Sequence, residues 1–98
     1  MKEILIVGGG AAGITAALSA AQSGACVHVT VLEGLDRVGK KILATGNGRC
    51  NLSNRSILPE HYFTARPDLL RPLLKNMPTA VAEDFFRRQG LLCCADEA

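Results

Sequence analysis

The chain has 98 residues, the size of one domain at most. Hydrophobic residues make up 48% and charged residues 20%, which excludes a disordered tail; 11 Lys and Arg against 9 Asp and Glu leave a net charge of +2, too little to draw a nucleic acid or a membrane by itself. Aromatics at 4% with no Trp remove a base-stacking platform, and 4 cysteines without a C-x-x-C pair exclude a zinc spacing. The composition leaves a compact α/β or α chain, expected in the cytoplasm with reduced thiols.

Residues 3–7, Glu-Ile-Leu-Ile-Val, are a short β-branched run bounded at once by glycine. This predicts a strand of the parallel-sheet type, buried on both faces. Residues 11–22 then change period. Ile14, Leu18 and Ala21 form one helical stripe and Thr15, Ser19 and Gln22 the opposite one, so one face meets a sheet and the other meets water. Gly24 is the expected stop. Residues 26–32 alternate, with Val27, Val29 and Val31 on one face and His28, Thr30 and Leu32 on the other. Cys26 beside Val and Ala reads as a small buried residue. Strand, helix and strand in this length make a βαβ unit. From Ile4 to Leu32 there is no charged residue, which raises a membrane span or signal segment. Gly8-Gly9-Gly10 and the polar Thr15, Ser19, Gln22, Ser23 and His28 count against both.

Residues 34–58 read as one long loop of glycine, asparagine and basic residues, the kind of loop that carries function. Beyond it, Leu69, Leu70, Leu73, Leu74 and Met77 recur at helical spacing and are expected to form core. Asp68 is the expected cap, and Pro72 must shift the start or kink the helix. Val81, Ala82, Phe85 and Phe86 make a second stripe, capped by Thr79 and stopped by Gly90. Leu91 to Cys94 is read as the start of a third strand.

Gly8, Gly10 and Gly13 stand in the spacing G-x-G-x-x-G, between a predicted strand and a predicted helix, and Glu33 follows Gly13 by 20 residues at the end of the next strand. Gly8 permits the tight turn, Gly10 lets a pyrophosphate approach the backbone, and Gly13 lets the helix pack on the strand. The helix N-terminus at Ala12 and Gly13 offers N–H groups and a positive dipole end to phosphate. Glu33 can accept hydrogen bonds from both ribose hydroxyls and would repel a 2′-phosphate, so the ligand is FAD or NAD rather than NADP. The alternative is a glycine-rich turn with no ligand. The basic loop suits the longer, more anionic cofactor. Lys40, Lys41 and Arg49 can meet phosphate, Gly46 and Gly48 let backbone approach a flavin, and Asn51 and Asn54 offer amide donors and acceptors.

Val7-Gly8-Gly9-Gly10-Ala11-Ala12-Gly13, Glu33, and above all the run from Gly39-Lys40-Lys41 through Ala44-Thr45-Gly46-Asn47-Gly48-Arg49-Cys50-Asn51-Leu52-Ser53-Asn54 resemble the start of the NAD(P)/FAD-dependent oxidoreductases of the aminoacetone-oxidase and dehydro-bile-acid-reductase type. The Gly48–Asn54 string is specific to that family, whereas the first glycine motif is shared by all two-dinucleotide-binding flavoproteins. The resemblance covers nearly the whole chain, including the two C-terminal helices and Asp96-Glu97. One departure is Asn47, where the family commonly has Gly; Asn tolerates a left-handed backbone.

The resemblance implies FAD, with NAD(P)H as its candidate reductant. It implies FAD contacts at Gly8, Gly10, Ala12, Gly13, Glu33, Lys40, Lys41, Thr45, Gly46, Gly48, Arg49, Cys50, Asn51 and Asn54. It also implies a far longer parent, of which residues 1–98 are the N-terminal segment of a Rossmann-like FAD-binding domain with an incomplete parallel sheet. The substrate domain and the rest of the FAD domain would then lie outside the chain. A small-molecule substrate, no nucleic acid and no membrane are the expected partners, with no metal. The substrate, the oligomeric state and the choice of NADH or NADPH stay open. Alternatives are a non-catalytic truncated dinucleotide-binding fragment and an NAD-binding regulatory module. No catalytic residue is assigned: His28 reads as a strand residue, His61 as a solvated loop residue, and Cys50 lacks an identifiable base despite Arg49 beside it.

Overall fold

The computed structural model describes residues 1–44 and 50–95. The chain divides into two units, Met1–Asn51 and Leu52–Ala98.

In the first unit, strand β1 (Lys2–Val7), helix α1 (Ala11–Ala21) and strand β2 (Val27–Leu32) follow in order, and the strands pair in parallel from Lys2↔Val27 to Val7↔Leu32. The α/β class and the βαβ unit expected from the periodicities are what the chain forms. The ladder runs one bond past each strand, with Lys2 N–H donating to Cys26 C=O at 3.1 Å and Gly8 N–H donating to Leu32 C=O at 2.7 Å. Helix α1 lies on the sheet face that carries Ile4, Ile6, Val29 and Val31. A cleft between Ile14, Ala17, Leu18 and Ala21 of α1, Val29 and Val31 of β2, and Val38 holds about 320 Å³.

Burial of β1 on both faces is not what the structure gives. Ile4 and Ile6 are half-buried, but Leu5 is 62% and Val7 83% exposed. No described residue covers that second face, and a parallel sheet is shielded only when layers lie on both sides. Each such exposed side chain forgoes roughly 1.5–3 kcal/mol of burial. The alternation of β2 holds at five of six positions, with Val27, Val29 and Val31 half-buried and His28 and Leu32 exposed, but Thr30, expected on the outer face, is half-buried too. In α1 the stripe shifts: Ala21 is exposed, and Thr15, expected in water, is half-buried with its hydroxyl donating to Ala11 C=O at 2.7 Å. Cys26 is exposed rather than buried, because it sits one residue before β2 at the sheet margin.

The 34–58 segment is not loop throughout: Lys40–Leu43 form one helical turn, α2. In the second unit a 3-10 turn (Pro59–His61) precedes α3 (Pro67–Asn76) and α4 (Thr79–Arg88). Two expected caps move. Asp68 is not the N-cap of α3, because proline at the first helical position starts the helix earlier. Asp68 instead takes a bidentate pair from Arg66, at 3.0 and 2.7 Å. Thr79 lies inside α4, after an extended Pro78, and its hydroxyl donates to Asn54 C=O. Helix α3 runs through Pro72, which lacks the N–H that would reach Asp68 C=O.

Gly90 is the stop for α4. At φ +92°, its N–H donates to Arg87 C=O at 2.9 Å while Leu91 N–H donates to Phe86 C=O at 3.1 Å, a Schellman closure. The leucine stripe is not a core, since Leu69, Leu73 and Met77 are all more than half exposed. Leu91 to Cys94 form no strand, because the stretch has no strand partner among the described residues. Among the described residues no helix is long and apolar enough to cross a membrane.

Candidate functional site

The site grows from the turn between β1 and α1. Gly8 leaves the strand at φ +103°, a conformation only glycine adopts without cost. Gly10 is the N-cap of α1, with extended backbone and no side-chain cap, and no acidic residue lies in the first turn. The early N–H groups of α1, at Ala11, Ala12 and Gly13, precede the first intrahelical donor, Ile14, whose N–H reaches Gly10 C=O at 2.9 Å. A Cβ on Gly10 would meet nothing within 4 Å, so its side toward a ligand is open. A Cβ on Gly13 would sit 1.8 Å from Gly8 C=O and 3.5 Å from the Ile6 side chain. The helix can start this close to β1 only because position 13 is glycine.

Glu33, one residue past β2, is turned back onto this turn. Its Oε1 accepts the Gly9 N–H at 2.8 Å and its Oε2 accepts the Leu35 N–H at 2.8 Å. The Leu35 amide, then the Gly9 amide, hold the carboxyl below its ordinary value of 4.5 against a smaller opposing effect of desolvation. The Gly34 amide acts in the same direction, and a carboxylate with about four lone-pair sites still has room for an outside donor beside these three amides. The chain then returns: Gly39, at φ +70°, donates its N–H to Gly9 C=O at 2.7 Å and opens α2.

Gly9 is therefore the centre of the site. It is the one buried residue among those described. Its N–H is held by Glu33 and its C=O by Gly39, and a Cβ there would come 2.7 Å from Val38 Cγ1 and 3.2 Å from Glu33 Oε1. Spacing arguments passed over Gly9, Val38 and Gly39, because G-x-G-x-x-G leaves the second position free. The signal available was the third glycine in the run Gly8-Gly9-Gly10.

The basic candidates are less gathered. Lys40 is exposed and its ammonium pairs with Asp36 at 3.2 Å, an acid within the same loop. Lys41 is exposed on α2. Cys50 is exposed, its thiol 3.9 Å from Asn51 C=O, and Asn51 is exposed beside it. Asn54 belongs to the second unit, where its Oδ1 accepts the Ser56 N–H at 2.8 Å. Thr45, Gly46, Gly48 and Arg49 lie outside the described residues, as do Asn47 and Asp96-Glu97.

His28 lies in β2, as expected, with an acid beside it. The register sets Glu3 opposite, with Oε2 2.7 Å from Nδ1, but the pair is 62% and 72% exposed and contributes little. His61 is exposed, as expected, and Nδ1 lies 2.9 Å from Ser56 C=O. Among the described residues no group of three or more His, Cys, Asp or Glu could hold a metal ion.

The turn, the capless helix N-terminus and the anchored carboxylate together can bind an anion next to a diol. The residues present fit a dinucleotide: room at Gly10, a forced close approach at Gly13, and an acceptor fixed at Glu33. Comparison with known proteins points the same way. The family of the HI0933-like protein Rossmann domain matches residues 2–97. The chain is similar to the 3-dehydro-bile acid delta(4,6)-reductase of Clostridium scindens, 45% identical over 93% of this chain and 22% of that protein. It is also similar to the ribosomal RNA dihydrouridine synthases of Haemophilus influenzae, 38% identical over 74% of this chain and 18% of that protein, and of Escherichia coli, 29% identical over 91% and 22%. The chain thus spans about a fifth of the length of these curated relatives.

Proposed function

The chain belongs to the HI0933-like Rossmann-domain family, and from that membership we propose that it is the N-terminal FAD-binding segment of a longer flavoprotein oxidoreductase. The observation that carries the reading is Glu33, ionised and fixed by the Gly9 amide beside the capless N-terminus of α1. Gly10 and the first N–H groups of α1 hold the pyrophosphate. Glu33 accepts the ribose hydroxyls, and its charge rejects a 2′-phosphate. Lys41 and Arg49, with Lys40 once it leaves Asp36, meet phosphate. The segment 45–51 and Asn54 serve the flavin end, with Cys50 in contact rather than as nucleophile.

FAD, when bound, supplies the hydride and electron chemistry. NAD(P)H is the proposed reductant. The names of two relatives, a delta(4,6)-reductase and a dihydrouridine synthase, both denote saturation of a carbon–carbon double bond, and that is the reaction class proposed for the whole protein. A small-molecule substrate is favoured by the 45% identity to the bile-acid enzyme against 38% to the RNA enzyme, and by a basic stretch interleaved with glycine rather than aromatics. The remaining FAD domain and the substrate domain would cover Leu5 and Val7. A cytoplasmic, reducing setting suits the 4 free thiols.

The test uses the whole flavoprotein proposed above. It should purify yellow, and NADH or NADPH should bleach its flavin. Glu33→Arg should weaken FAD binding roughly tenfold or more, since hydrogen bonds to a charged acceptor are lost. Residues 1–98 alone should bind FAD poorly and turn nothing over, because a tight pocket must enclose most of its ligand. An unchanged dissociation constant in Glu33→Arg would remove the ribose role. Binding of NAD without any flavin would turn the reading toward a regulatory module, and turnover on RNA but on no small molecule would reverse the substrate class.

A further inference from the structure

We infer that Cys93 and Cys94 form a bidentate site for thiophilic trivalent arsenicals, a binding chemistry independent of the dinucleotide site. Both thiols are free; Cys94 is exposed and Cys93 half-buried. The Schellman closure at Gly90 ends α4, and residues 91–95 continue without regular structure, so no helix or strand ladder fixes the peptide that joins the two cysteines.

Adjacent Cα atoms lie ~3.8 Å apart, whereas disulfides usually span about 4.4–6.8 Å. A direct sulfur–sulfur bond between neighbours is therefore strained and easily reduced, and the dithiol is the favoured state. One arsenic atom between the sulfurs lengthens the link and removes that mismatch. Soft thiolates are also the ligands that soft acids select. An open cleft of about 320 Å³, lined by Arg87, Gly90, Leu91, Leu92 and Cys93, lies alongside and can take an aryl substituent against Leu91 and Leu92. With phenylarsine oxide, two arsenic–sulfur bonds replace the bonds to oxygen. The oxygen leaves as one water with both thiol protons, and arsenic stays trivalent, so no oxidant or reductant is needed. Cys26 and Cys50 are exposed too, but each lacks a neighbouring thiol in sequence and offers only a single sulfur.

The experiment adds one equivalent of phenylarsine oxide to the reduced 98-residue chain and reads mass and free thiols, neither of which depends on cofactor binding. One phenylarsenic adduct should form, 2 of the 4 thiols should disappear, and the adduct should survive excess monothiol but yield to a 1,2-dithiol. The Cys26→Ser, Cys50→Ser double variant should keep that behaviour. Cys93→Ser, Cys94→Ser and their combination should each lose it. A monothiol-resistant adduct in the Cys93→Ser, Cys94→Ser variant, its loss from the Cys26→Ser, Cys50→Ser variant, or removal of the wild-type adduct by monothiol would each overturn the assignment.

Discussion

Met1–Asn51 and Leu52–Ala98 hold themselves together by different means. The first unit is tied by bonds between residues far apart in sequence: the parallel ladder, Glu33 to Gly9, and Gly39 to Gly9. In the second, most ties are local: the Arg66–Asp68 fork, the i,i+4 pairs Arg87–Glu83 and Arg88–Asp84, and the Schellman closure. The Thr79–Asn54 bond is a longer-range exception among the described residues. Phe85 and Phe86 meet edge to face at 5.1 Å, yet Leu69, Leu73, Met77, Val81 and Leu92 remain exposed. The contrast teaches that helices can be well formed by local ties and periodicity without a core, whereas the glycine turn, itself local, is fastened to Glu33 and Gly39 only by long-range closure.

Substitutions at glycine separate the two kinds of cohesion. The largest effect is expected at Gly13→Ala. Its new Cβ would fall 1.8 Å from the Gly8 carbonyl, where only backbone can give way. A loss of ~3 kcal/mol or more is expected. Native-state hydrogen exchange should show β1 and β2 amides losing protection together while α4 amides keep theirs. Equal loss in both units would mean that they fold as one, and the comparison would fail.

A smaller effect is expected at Gly9→Ala. Here the close atoms are Val38 Cγ1 at 2.7 Å, Val38 Cβ at 3.0 Å and Glu33 Oε1 at 3.2 Å, all on side chains. The cost should be about 1–2 kcal/mol by thermal melting of the first unit. Adding Val38→Ala should recover part of it by removing the nearer atom. If the double variant is no better than Gly9→Ala alone, the strain lies with the Cβ of residue 38, which alanine retains, or with Glu33.

In the second unit, Gly90→Ala places a Cβ at φ +92° and should cost about 1 kcal/mol. Exchange should report fraying of the last turn of α4 alone. Faster exchange in β1 or β2 would contradict the separation.

The smallest signal is the pH dependence of the first unit. The folded pKa of Glu33 is depressed, so its contribution is present above the unfolded value near 4.5 and is lost as pH falls through the lower folded value. Wild type should lose stability across that window relative to Glu33→Gln, and the curves should run parallel above it. Parallel curves throughout would show that the Gly9 and Leu35 amides do not favour the ionised carboxylate.

Much of the first unit was legible because its signals are local. A β-branched run, glycines at fixed offsets, a change of period and an acid at the end of the second strand each constrain the backbone nearby, and together they select strand, turn, helix and strand. Gly8 and Gly13 could be assigned from spacing because a tight turn and a close helix exclude a Cβ whatever surrounds them. The third strand at Leu91–Cys94 could not be judged in this way, since an apolar run becomes a strand only beside a partner. The leucine stripe of α3 likewise gave a helix but not a core.

By itself, then, the sequence determined the α/β class, the order of elements in the first unit, the glycine turn and the position of Glu33. These follow from backbone conformation and periodicity within a few residues. Only the tertiary structure decided that Gly9 is the buried centre, clasped by Glu33 from 24 residues away and by Gly39 beyond it. Only the parallel register set Glu3 beside His28, and only packing showed that β1 has one covered face and that Cys26 lies in the open. These features depend on which distant residues meet, and burial and hydrogen-bond partners are properties of that meeting rather than of any stretch of chain.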